Sequence, residues 1–149
     1  MTALAAIVLL VASGTGVRAS DGCTADATRV LVHSFVRDYS AGRVAVINRM
    51  WAPAPRFQWF SAGKPGARLG GPAYVRSTLT RYFRSRVRAH ERLRLTKLRA
   101  GYDPRRGIVH FSGRLVRSAD DIRVRRAPQA FKGAVDCVVG RPMLIVWSM

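Results

Sequence analysis

The side chains able to do chemistry are few, and their spacing excludes several reaction classes. Cys23 and Cys137 are the two cysteines. No CxxC pair, HExxH pair or Cys/His cluster occurs, so neither a redox dithiol nor a zinc site is expected, and no metal or cofactor is assigned. Ser34 and Ser61 have no His and Asp partners that would make a nucleophilic triad. His110 lies on a stretch where Val109, Phe111, Gly113 and Leu115 alternate with His110, Ser112 and Arg114. Three polar residues in alternation usually face water, so His110 is read first as a solvated sheet residue and second as an acid–base group lining a cavity. His33 falls on the polar side of a helix. His90 and Glu91 mark a helix-to-strand junction, where Glu91 is expected to pair with nearby arginines. Asp136 is a lone carboxylate in Gly133-Ala134-Val135-Asp136-Cys137-Val138. In so apolar a strand it must be protonated or partnered. With arginine in excess, half of a buried ion pair is the first reading and a pocket acid the second.

The charge is far from ordinary. The formal net charge is +18, with 26 Lys and Arg against 8 Asp and Glu, and nearly all the cations are Arg. A run of them, Arg76, Arg81, Arg84, Arg86, Arg88, Arg92, Arg94, Lys97 and Arg99, would serve a polyanion binder if it gathered on one face. The preferred reading is compositional: a chain rich in Arg, Ala and Gly, with its charge scattered. Hydrophobic residues at 48% and charged ones at 23% give a globular balance. At 149 residues, one domain with a real core is expected.

The uninterrupted apolar run Ala3–Ala12 is too short to span a membrane, which takes about 20 helical residues. Small and turn-forming residues follow it, then Val17-Arg18-Ala19. The pattern is that of an export signal over residues 1–19, cleaved after Ala19, with no transmembrane segment and a mature domain over residues 20–149. Ser20-Asp21-Gly22 before Cys23 places a charge inside any lipobox, so lipidation is rejected. A secreted or periplasmic setting permits disulfides, and two cysteines without a competitor are expected to pair. The cross-link closes most of the mature chain and is worth about 4–5 kcal/mol in the chain-entropy model.

The elements that must position these groups follow from periodicity. Leu31, Val32, Phe35, Val36 and Tyr39 recur at helical spacing, predicting a helix over 26–39 that ends at Gly42. A short helix over 44–50 stops before Pro53 and Pro55, and Phe57–Ser61 reads as an aromatic strand. Ala62–Pro72 is a Gly- and Pro-rich loop. A third helix over 73–87 carries Tyr74, Leu79, Tyr82, Phe83 and Val87. From Glu91 onward the period is two. Leu93, Leu95, Leu98 and Ala100 share a side only if a bulge falls at Thr96-Lys97. A turn at Asp103–Gly107 leads to the strand of His110, 117–129 reads as a polar loop, and 131–138 with 143–147 forms a closing hairpin around Gly140. The fold class is α+β, with three N-terminal helices packed in a curved, mostly antiparallel sheet that forms a cone.

Over residues 26–149 the chain resembles the nuclear transport factor 2-like superfamily, the SnoaL-like cone fold shared with ketosteroid isomerases and polyketide cyclases. The resemblance rests on Asp38-Tyr39-Ser40-Ala41-Gly42 ending the first helix, on Met50-Trp51-Ala52-Pro53, on the aromatic strand, and on the closing Trp147-Ser148-Met149. It implies a cone able to take a small apolar ligand, lined by Trp51, Trp59 and Phe111, although these tryptophans are read first as core. It also implies a homodimer formed through the sheet. Isomerase-like members place a Tyr on the first helix and carboxyls in the cone, which maps onto Tyr39 and Asp136, with His110 as a further acid–base group. The chain departs from that pattern, because no Asp or Glu lies between Tyr39 and Glu91. The general-base position is empty. The expectation is therefore a domain that binds a small apolar ligand or a partner without catalysis. An Asp136-dependent isomerase or cyclase and a polyanion binder are the alternatives.

Overall fold

The structure is a computed structural model that describes residues 23–53, 75–122, 128–138 and 140–149, with the backbone of 58–60. The expected export signal, its cleavage point, the Gly- and Pro-rich segment 62–72 and the side chain of Trp59 lie outside the described residues.

Helix α1 (Ala25–Ser40) begins where Thr24 Oγ1 accepts the amide of Ala27 at 3.0 Å, satisfying one of the free donors of the first turn. It ends at Ala41, and Gly42 follows with φ of 70°, the left-handed backbone that glycine adopts at low cost. Val32, Phe35, Val36 and Tyr39 form its buried stripe. Helix α2 (Val44–Arg49) buries Ile47. Helix α3 (Arg76–Arg88) buries Leu79, Tyr82, Phe83 and Arg86, at helical spacing on one face.

Among the described residues, one sheet of five strands receives them, in the order β1-β5-β4-β3-β2. Strands β2 (Arg92–Asp103), β3 (Ile108–Ser118), β4 (Gln129–Val138) and β5 (Arg141–Ser148) are an antiparallel meander. The short β1 (Gln58–Phe60) lies parallel to β5 at the edge. The expected bulge is present: Leu95 pairs with Leu115 and Lys97 with Arg114, leaving Thr96 out of register. Leu93 and Leu95 before it, and Leu98 and Ala100 after it, all reach the core. A second irregularity lies in β5, where Ala134 pairs with Val146 and Val135 with Leu144, so Ile145 is skipped.

The Cys23–Cys137 disulfide is formed, with Cα atoms 5.7 Å apart, and ties the segment leading into α1 to the end of β4. Strand β3 runs to Ser118, so Arg117 belongs to the sheet and not to the polar loop expected from residue 117.

Candidate functional site

Inside the cone, aromatic rings pack against one another. Phe35 meets Trp147 at 4.7 Å between ring centroids and Trp51 at 6.0 Å, and Phe131 stacks on Trp147 at 5.2 Å. Trp51, Phe83 and Trp147 are each at most 1% exposed, and Phe111 is 2% exposed. Tyr39 lies among them, 5.8 Å from both Phe35 and Phe83. Burial, with Tyr82 and Glu91 nearby, holds its phenol neutral well above the ordinary range.

Beside these rings lies a buried charge network. Glu91, whose side chain is wholly buried, accepts from Arg86 Nε through Oε2 and from Arg117 Nε through Oε1. Arg86 reaches on to Asp121 as a fork, with bonds of 2.6 and 2.7 Å, and Arg117 Nη2 donates to the Tyr82 hydroxyl at 3.2 Å. Two arginines thus meet two carboxylates, and the group is neutral in sum. The hydrogen bond from Arg86 holds the Asp121 carboxyl below its usual range. The expected pairing of Glu91 with arginines is present, but Arg86, which the sequence places among the surface cations, is one of its partners. The signal for that is local: Arg86 continues the stripe of Leu79, Tyr82 and Phe83.

The other acid–base candidates are elsewhere. On β3, Val109, Phe111 and Leu115 face the core, so His110 faces out, with Nε2 3.6 Å from Asp103 Oδ2. On β4, Phe131 and Val135 face the core, which turns Lys132, Ala134 and Asp136 outward by alternation. Asp136 is half-buried opposite Met143. The structure therefore sets Tyr39 inside the cone and His110 and Asp136 on the outer face of the sheet. The three do not converge.

That outer face carries two adjoining shallow grooves, each of about 610 Å³, that share Arg99, Ser112 and Lys132. His110, Gly133, Ala134 and Val146 line the first, and Arg114, Phe131 and Met149 the second. Arg92, Arg94, Lys97, Arg99, Arg114 and Lys132 are all exposed at outward positions of the sheet. Two described carboxylates share this face, Asp103 beside His110 and Arg106, and Asp136 opposite Met143. The others are engaged elsewhere, Asp26 with Arg29, Asp38 with Arg37 and Arg43, Asp120 with His90, and Glu91 and Asp121 in the buried network. A separate groove of about 560 Å³ runs along α3 between Arg76, Arg81, Arg84 and Arg88. The cations of the run are thus sorted: Arg86 is buried, the α3 members line one groove, and the β2 members share one sheet face.

No protein-family model matches the sequence, and no curated protein is similar to it in sequence. Solved structures are similar in fold. A putative calcium/calmodulin dependent protein kinase II association domain from Xanthomonas campestris superposes with a TM-score of 0.63 at 12% identity, covering 95% of both chains. An NTF-2-like protein of unknown function from Shewanella oneidensis gives 0.61 at 11% identity, over 83% of this chain and 95% of that one. ActVI-ORFA from Streptomyces coelicolor gives 0.61 at 10%, over 83% and 93%. The chain has the nuclear transport factor 2-like fold, as its helix and strand order implied. Identities this low speak to fold and leave function to the site.

Proposed function

We propose that the protein is an exported domain that binds a ligand or partner and carries out no chemistry. The observation that supports this best is the separation of its acid–base candidates. Tyr39 is enclosed by aromatic rings, while His110 and Asp136 sit on the other side of the sheet. General acid–base chemistry needs two such groups within reach of one substrate. What supports an outer-face seat for the ligand, in place of the cone, is that Phe35, Trp51 and Trp147 are buried and pack against one another in the described interior. The grooves beside Arg99 and Lys132 are open. Residues 1–19 act as the export signal in this reading, and the formed disulfide suits a compartment outside the cytoplasm. Among the described residues no helix is long and apolar enough to cross a membrane.

Two measurements test the reading. The exported protein should begin at Ser20 by N-terminal sequencing; an intact Met1 refutes export. Double-bond migration in β,γ-unsaturated ketones, the chemistry of the isomerase-like members, should not be accelerated. Turnover that disappears in Asp136→Asn or His110→Gln would establish an enzyme instead.

A further inference from the structure

We infer that the outer face of the sheet is a docking site for a linear phosphodiester polymer that carries no bases. This rests on the binding-domain reading and names its partner.

Side chains of one strand face recur about every 7 Å, and on β2 the outward positions are Arg92, Arg94, Lys97 and Arg99. The bulge at Thr96 matters here. A regular strand would bring Thr96 and Leu98 outward in place of Lys97 and Arg99. The extra residue keeps both the leucines on the core and the cations on the outside. The result is a line of charge about 23 Å long. Arg114, paired with Lys97, and Lys132, paired with Ser112 opposite Arg99, widen it into a track. The grooves that share Arg99, Ser112 and Lys132 give that track a bed.

Chemistry selects the occupant. Arginine presents a planar fork of donors that meets phosphate oxygens in pairs, and Ser112 adds a hydroxyl to the bed. Bases would need aromatic platforms to stack on, yet Phe111 and Phe131, the aromatic residues that line the grooves, are each 2% exposed and hold their rings in the core. A second copy of the chain would oppose like charge to like charge. The line is narrow and long, a shape that follows a polymer more closely than a membrane plane. A chain of sugar or polyol units joined by phosphodiesters satisfies each of these conditions.

The test uses the purified protein, its disulfide intact, and an abasic deoxyribose-phosphate oligomer as probe. Affinity is measured between about 50 and 200 mM salt, with single-stranded DNA of equal length, heparin and phosphatidylglycerol vesicles in parallel. Four to six engaged phosphates predict a log–log slope of about −3 to −4. Arg99→Gln with Lys132→Gln should weaken binding and make the slope shallower by about one for each cation removed. Arg81→Gln with Arg84→Gln on α3 should change neither. All four residues are exposed, and the melting temperature checks folding. Arg94→Gln with Lys97→Gln replaces the first pair if it fails to fold. A slope shallower than about −1, weakening confined to the α3 variant, or at least tenfold tighter binding of DNA, heparin or vesicles overturns the proposal. A flat titration overturns it and leaves the binding-domain reading standing. Turnover in the isomerase assay overturns that reading whatever the oligomer does.

Discussion

Glu91 shows how far a single residue can be read from sequence. Its type and its place at a helix-to-strand junction point to arginine partners, and two arginines hold it. Which two was not legible. A charged residue on an apolar stripe looks like a snorkelling surface cation until its partner is known. Arg86 takes such a stripe position, and Arg117 comes from a strand whose end reads as loop in the sequence. Asp136 is the opposite case. Apolar neighbours suggest an interior, and alternation about Phe131 and Val135 turns it outward. The network predicts a large effect at Glu91. Glu91→Gln leaves Arg86 and Arg117 facing one neutral amide in a buried site, and breaking such a pairing costs about 3–5 kcal/mol. Chemical denaturation should show that loss, and a change within about 0.5 kcal/mol would mean that water enters the site. Asp136→Asn, at the half-buried outer face, should lower stability by less than Glu91→Gln does.

Elements were more legible than residues, because helices and strands impose periods that a chain records. The Thr96 bulge is the clearest instance: no unbroken strand puts Leu93, Leu95, Leu98 and Ala100 on one side, and the register slips at that point. The parallel pairing of β1 with β5 had no such trace, since it joins Gln58–Phe60 to residues far along the chain with no shared turn. Curvature was hidden too, and glycine reveals it. A Cβ added at Gly113 would fall 2.0 Å from the Lys97 carbonyl oxygen and 2.8 Å from Phe131, beside the bulge. The sheet bends there because the backbones can approach. Gly113→Ala should therefore cost about 1–3 kcal/mol or more, as overpacking against a backbone atom does. Gly101→Ala is the control. Nothing lies within 4 Å of its added Cβ, so it should be neutral or should stabilise by about 0.4–1 kcal/mol. Equal losses at both sites would remove close approach as the cause.

At the scale of the whole molecule, acid should unfold this protein, and two effects act together. The carboxyls of Asp38 and Asp121 are held below their usual range by hydrogen bonds from Arg37 and Arg86. A carboxyl with a depressed folded value stabilises fully above its unfolded value, near 3.9, and that stabilisation fades as the pH falls through the folded value. The second effect is repulsion. The chain already carries +18 at neutral pH, and each carboxylate protonated removes one of the few anions that offset it. Both effects act below about pH 4–5 and neither acts between pH 5 and 7, so melting temperature should be nearly flat above and fall steeply below. Salt separates them. Added salt screens repulsion between exposed charges but acts much less on the ion pairs of Asp38, which is 2% exposed, or on the side of Asp121 that meets buried Arg86. High salt should therefore recover part of the acid loss and leave a remainder assignable to the two carboxyls. Asp121→Asn should reduce that remainder, because an amide does not titrate, and should lower the plateau at neutral pH. An acid loss that salt abolishes would show that repulsion alone governs the transition, and a melting temperature that declines evenly from pH 7 to 5 would show that neither effect does.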